Sequence, residues 1–394
     1  MAKNKMHKQL SLALNKYPVI PNSLRKNLSI NSPVSSISVD LANLYHHYYI
    51  DSFGRRPPNP DPAQFEHVQF LLPVSDFRFQ GAGLGIASAI KKHRSTELGQ
   101  AFCRLFLHDH FGITYFAHTQ HVLDRQLHRA FQGCSIQRVD EGDAPDYFCA
   151  KNVERVFLAE AKGRYSSISF KNREFQGWRN QFDRVSFKDI HGLELSIKGH
   201  IVATRFATEE NSGRVTSGLW AEDPASRGDV EADAERLFEL SAAVIGLHYS
   251  EISTKLGQPL LASSLASGVR LPEEIRVQCV VWKVLFGPLQ GKRFVGGYFG
   301  THRSKEGARD VHPSFATDIP GDILRLDRES ATFFGVEESI FRQVVSMARL
   351  GSGAVAQLQQ FEAIAPFFSG FSVLRDGSAL GPMEWFWPEE LIAL

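Results

Sequence analysis

Two apolar spacings alternate along the chain, and most predicted elements follow from them. Leu98, Phe102, Leu105 and Phe106 share one face of a helix that Ser95 is placed to cap and Gly112 to end. Residues 113–116 then read as a strand, 121–131 as a helix and 147–149 as a short strand. Residues 155–162 form a strand with Val156, Phe157 and Leu158 as its buried run. Phe175, Trp178, Phe182 and Val185 line one side of a helix over 173–185, and 200–206 is a further strand. From Ser95 onward the core order is therefore helix, strand, strand, strand, helix, strand.

Outside this stretch the pattern is thinner. Residues 39–49 read as a short aromatic helix and 67–74 as a strand, separated by the proline-rich run 54–62. Gly81, Gly83 and Gly85 mimic a dinucleotide loop. Ile86 stands where its last glycine belongs, so a flexible turn is the reading. After Asn211-Ser212-Gly213 come a long amphipathic helix (230–256), paired strands (277–286 and 293–299), a helix (337–350) and a hairpin (371–378). The aromatic and acidic tail 383–391 reads as packed on its own domain, with partner docking as the alternative. The fold class is α/β of mixed α+β type. Its domains are 1–90, 91–210 and 211–394.

Charge refines this only locally. Across 394 residues, 44 Lys+Arg face 43 Asp+Glu, which excludes a polyelectrolyte and argues against tight indiscriminate DNA binding. Residues 1–30 hold six basic and no acidic side chains, either a solvated tail or a basic arm for phosphates or a partner. Residues 151–190 hold nine basic against five acidic ones. No run approaches the ~18–20 apolar residues of a membrane span, and residues 10–14 are too short for a signal core. The four cysteines form no CxxC pair. These features describe a cytoplasmic chain without a membrane partner.

The informative stretch is Gly142-Asp143-Ala144-Pro145-Asp146-Tyr147, followed by Phe157-Leu158-Ala159-Glu160-Ala161-Lys162-Gly163. Period-two geometry puts Glu160 and Lys162 on one face and Ala161 on the other. Charges at the end of an apolar strand are costly unless paired. Two converging carboxylates make a hard-oxygen site for Mg²⁺ or Mn²⁺, with a lysine beside it to manage an attacking water.

Pro145-Asp146 with Glu160-Ala161-Lys162 resembles the PD-(D/E)xK signature of restriction-endonuclease-like nucleases, over roughly 95–208. The resemblance implies an αβββαβ core, which matches the element order above. It implies Asp146 and Glu160 as metal ligands, joined by the carbonyl of Ala161, and Lys162 as the catalytic lysine. Glu97 would be the added helix glutamate, and Gln176 or Gln181 the supporting polar residue on the following helix. Asp143 is the alternative to Asp146. Arg164, Lys171, Arg173 and Arg179 flank the site and are placed to neutralise phosphates. The implied activity is a Mg²⁺-dependent endonuclease acting on DNA, with RNA left open, as a bacterial effector against phage or plasmids. Delivery of substrate would fall to a protein partner or a homo-oligomer. The rival reading is a catalytically silent scaffold of the same fold. His108, His110, His118, His121 and His128 lie close in sequence, and His118-x-x-His121 has a zinc-like spacing. Chance proximity accounts for that spacing, while His108 or His110 could line a DNA channel. The segment 118–142 is longer than a plain connection between core strands.

Overall fold

The computed structural model describes residues 7–52, 66–124, 133–224, 234–299, 332–367 and 370–394. The fold is mixed α/β, and the chain divides into two compact units, one mostly before and one mostly after His248.

The first unit is built on a seven-stranded mixed sheet. Its strands are β1 (His7–Asn15), β2 (Ser36–Asp40), β3 (Tyr115–His118), β4 (Tyr147–Asn152), β5 (Arg155–Arg164), β6 (Lys198–Arg205) and β7 (Gly218–Glu222), in the order β2-β1-β7-β6-β5-β4-β3. β3, β4 and β5 form an antiparallel meander. β6 lies parallel to β5 and antiparallel to β7. Helices α1 (Leu41–Ser52) and α2 (Ser88–Phe111) cover one face. Helix α3 (Arg173–Arg179) covers the other, where Phe175 and Ile168 pack on Ile201 and Ala203 of β6. With both faces covered, β5 is buried almost continuously from Val156 to Ala161, which is why its sequence reads as an unbroken apolar run.

Several elements differ from the sequence reading. The N-terminal tail or arm is, over residues 7–15, a strand inside the sheet. Leu10 and Leu12 alternate inward, and Lys8 is buried with its ammonium donating to the carbonyls of Leu72 and Val74. A local excess of lysine does not reveal that two carbonyls wait for one of them. The expected strand at 67–74 is instead a short helix, Glu66–Gln69, followed by a single antiparallel bridge from Leu71 to Phe79; Pro73 has no N–H to extend that pairing. Ser95 is not an N-cap. The helix starts seven residues earlier at Ser88, and Ser95 Oγ bonds back to Lys92 O at 3.0 Å. Gly112 does end it, in the left-handed region at φ 71°. The helix expected over 173–185 stops at Arg179. Val185 and Phe187 then join a strand, Val185–Lys188, that pairs with Ser135–Arg138 and Glu194–Leu195. The long segment 118–142 is explained in part by this side sheet and by a helix, Thr119–Asp124. The rest of the helix expected over 121–131, with His128, lies outside the described residues.

Helix α2 meets β5 at two glycines. A Cβ on Gly163 would collide with the Ser95 carbonyl, and one on Gly99 with the backbone of Gly163 and Lys162. Neither obstacle is a flexible side chain. Gly163→Ala is expected to cost about 1–3 kcal/mol, read as a lower urea midpoint. An unchanged midpoint would mean that the helix does not sit this close.

His200, on β6, lies among the rings of Tyr17, Phe111 and Phe157. Burial, helped by Lys198, pushes its pKa down to about 3, and burial does the same to His67. The unfolded chain takes up these protons near the ordinary value, whereas the folded one refuses them. Stability should therefore fall as pH drops below about 6.5, by up to ~1.4 kcal/mol per pH unit per group. His200→Phe should flatten that slope in urea titrations at pH 7 and pH 5; an equal slope would place the ring in contact with water.

The second unit holds a six-stranded antiparallel sheet in the order Ser372–Val373, Ser378–Pro382, Thr332–Glu337, Arg293–Phe299, Gln278–Val284, Phe386–Ala393. The expected strand pair and hairpin are present, and the helix Glu338–Leu350 is capped by the Glu337 carboxylate on Ile340 N–H. The aromatic tail is the edge strand, with Phe386 stacked on Phe333 at 3.8 Å. Among the described residues no helix is long and apolar enough to cross a membrane, and the four cysteines are buried and unbridged.

Candidate active site

The β4–β5 meander sets the site's geometry. Tyr147 pairs with Ala159 and Phe148 with Leu158, so one residue earlier Asp146 faces Glu160. The backbone N–H of Asp146 donates to Glu160 Oε2 at 3.2 Å, and Ala161 N–H donates to Asp146 Oδ2 at 2.8 Å. Lys162, two residues beyond Glu160 on the same face, brings its ammonium into contact with Glu160 Oε1 and to 4.0 Å from Asp146 Oδ2. Asp146 and Glu160 thus converge on one amine.

Their environments differ. Glu160 is fully buried, while Asp146 and Lys162 are partly exposed. Burial first, and then Asp146, push the Glu160 carboxyl well above its usual range against the pull of Lys162. Burial would lower the Lys162 ammonium, but Glu160 and Asp146 outweigh it and keep it protonated, above its ordinary value. Burial works against a full negative charge on Glu160, and a divalent cation, which favours the deprotonated carboxylate, would offset that cost.

Two amides hold the carboxylates from opposite layers. Gln181 follows α3 and is buried. With its amide nitrogen turned toward Glu160, it donates to both carboxylate oxygens, at 2.7 Å to Oε2. Gln176, the other support considered, instead bonds Asn180 and Arg179 on the exposed side. From α2, Gln100 Nε2 reaches Asp146 Oδ1 at 3.4 Å. Sequence reasoning missed Gln100. Its signal was a position one turn beyond Glu97, on the same helix face. Glu97 is three-quarters buried and its carboxylate lies 3.4 Å from His93 Nε2, within its own helix. The Asp143 side chain is exposed and Arg184 holds only its backbone carbonyl, so Asp146 is the aspartate tied into the sheet.

The basic residues separate into two groups. Arg179 is committed to the buried Glu222, with Nε at 2.6 Å and Nη2 at 2.8 Å from its two oxygens, which leaves little for a phosphate. Arg164 pairs with the exposed Glu174 and keeps one side toward solvent, while Lys171 and Arg173 are exposed. A cleft of about 480 Å³ beside α3 is lined by Lys16, Gln176, Arg179 and Asp183, but not by Asp146, Glu160 or Lys162.

Behind the site, on the α2 face, Asp51 accepts from Arg104 Nη1 at 2.9 Å and Tyr147 Oη at 2.8 Å, with His118 Nε2 at 3.2 Å. His118 is thereby held in an ion-pair network. Its ring lies 5.4 Å from that of His121, and among the described residues the pair belongs to no three-residue cluster whose ligand atoms all converge. His108 is buried against His47, and His110 Nδ1 lies 3.0 Å from Ser23 Oγ.

Compared with known proteins, the chain matches no family model, no curated protein and no solved structure.

Proposed function

We propose that the chain is a divalent-metal-dependent nuclease of the PD-(D/E)xK kind that hydrolyses DNA phosphodiester bonds. The observation that carries this reading is the convergence of Asp146 and Glu160, from neighbouring strands, on the Lys162 ammonium. The order α2-β3-β4-β5-α3-β6, with β3 to β6 adjacent in one mixed sheet, supports a restriction-endonuclease-like core.

The donors fit Mg²⁺ or Mn²⁺, being carboxyl oxygens in a partly open setting. Asp146 and Glu160 would hold the ion, with the Ala161 carbonyl as third donor. A bound Mg²⁺ polarises a phosphoryl oxygen and acidifies water. Lys162 orients the attacking water and offsets the charge that builds on the phosphate. Gln100 and Gln181 hold the two carboxylates in place. Arg164, Lys171 and Arg173 neutralise flanking phosphates, while Arg179 braces α3 against Glu222. The chain's near-neutral charge favours a protein partner or a second copy in substrate delivery, as in a defence effector.

Purified protein should nick supercoiled plasmid with Mg²⁺ and stop when EDTA is added, with RNA assayed in parallel. Calorimetry should show Mn²⁺ binding that is lost in Asp146→Ala. Absence of both cleavage and Mn²⁺ binding would leave a nuclease-fold scaffold in place of an enzyme.

A further inference from the structure

Helices α1 and α2 pack along a seam in the first unit, and that seam carries two polar rungs. In the first, Asp51 of α1 takes the guanidinium of Arg104 of α2. Four residues back on α1 and four forward on α2, one turn along each, His47 faces His108 with ring centroids 5.0 Å apart and planes at 64°. Asp109 completes this second rung, its Oδ1 lying 2.8 Å from His108 Nδ1. One ligand atom from each of His47, His108 and Asp109 falls within 4.8 Å of the other two. His47 is 1% and His108 6% exposed, whereas Asp109 faces solvent, so the rung has a buried wall and an open side.

We infer that His47, His108 and Asp109 form a second cation site, for a borderline transition metal of the Zn²⁺ class, separate from the carboxylate site at Asp146 and Glu160.

The donor set decides the class. Two imidazole nitrogens and one carboxylate oxygen suit Zn²⁺ with a water in the remaining position, whereas Mg²⁺ takes oxygen ligands. The field points the same way. The rung lies in the last turn of α2, which ends at Phe111, and a helix C-terminus favours a cation. The contrast with the neighbouring rung is chemical: Asp51 and Arg104 cancel each other, while the His47 rung gathers lone-pair donors and a carboxylate. An ion there would tie α1 to the helix that carries Gln100 to Asp146, a structural role that does not depend on the nuclease reading.

The test uses untagged, EDTA-stripped Asp146→Ala protein, in which the carboxylate site is disabled. It is titrated with Zn²⁺ by calorimetry and with Co²⁺ by visible absorption. One ion per chain should bind, without competition from Mg²⁺, and Zn²⁺ should raise the thermal midpoint. Adding Asp109→Asn, a change at an exposed carboxylate, should weaken Zn²⁺ binding roughly tenfold or more and shrink the thermal shift at a fixed Zn²⁺ concentration. Adding His47→Asn should remove the Co²⁺ spectrum, with circular dichroism reporting whether the fold persists. Absence of Zn²⁺ binding, or binding unchanged by Asp109→Asn, overturns the proposal. Failure to cleave DNA would leave it untouched.

Discussion

Lys162→Ala should lower Mg²⁺-dependent plasmid nicking by about 10²–10³-fold, the cost of removing one well-placed donor to a developing oxyanion. The position of the amine sets the size of this effect. It touches Glu160 and lies 4.0 Å from Asp146, beside the point on which both carboxylates converge. Of the basic side chains named around the site, Arg164 is paired with Glu174 and Arg179 with Glu222, while Lys171 and Arg173 are exposed. A second readout separates chemistry from collapse of the site. Removing the ammonium takes a competitor away from the two carboxylates, so Mn²⁺ should bind at least as tightly as in wild type while cleavage is lost. Equal nicking by wild type and Lys162→Ala, on every DNA and RNA substrate tried, would end the catalytic assignment.

The largest stability effect is expected at Arg104. Its guanidinium and the Asp51 carboxylate are both 1% exposed or less along their side chains, deep in the α1–α2 seam. Burial by itself would raise the Asp51 carboxyl, but His118 and Arg104 outweigh it and hold that group well below the usual carboxylate range. Arg104→Met would leave Asp51 with His118 and Tyr147 alone, and should cost about 3–5 kcal/mol in urea titration at pH 7. Because a depressed carboxyl lends its stability above the unfolded pKa, wild type should lose this contribution only in strong acid. The variant, whose Asp51 climbs, should lose it at milder pH. Adding Asp51→Leu to Arg104→Met should recover much of the loss, since the cost lies in the orphaned charge. Wild-type stability in Arg104→Met would show that water reaches the pair.

What was legible follows from how local each signal is. Asp146, Glu160 and Lys162 could be brought together from sequence because they lie on consecutive strands of a meander, where pairing register and period-two alternation suffice. The choice between Gln176 and Gln181 was not legible. It turns on α3 ending at Arg179, and the helix ends there because Val185 and Phe187 find partners in a side sheet distant in sequence. Gln100 was hidden for the same reason: its partner is a strand end 46 residues away. The first strand went unseen because its polar positions, Lys8 among them, are satisfied by carbonyls more than sixty residues off.

By itself, then, the sequence determined the alternation of helix and strand through the core, the turn at Gly112, and the shared face of Glu160 and Lys162. Each depends on backbone geometry over a few neighbouring residues. Only the tertiary structure decided which layer each helix covers, that His7–Asn15 belongs to the sheet, that Arg179 serves Glu222, and that His47 meets His108. Those outcomes depend on burial and charge pairing between segments far apart in the chain, where local propensity carries no information about the partner.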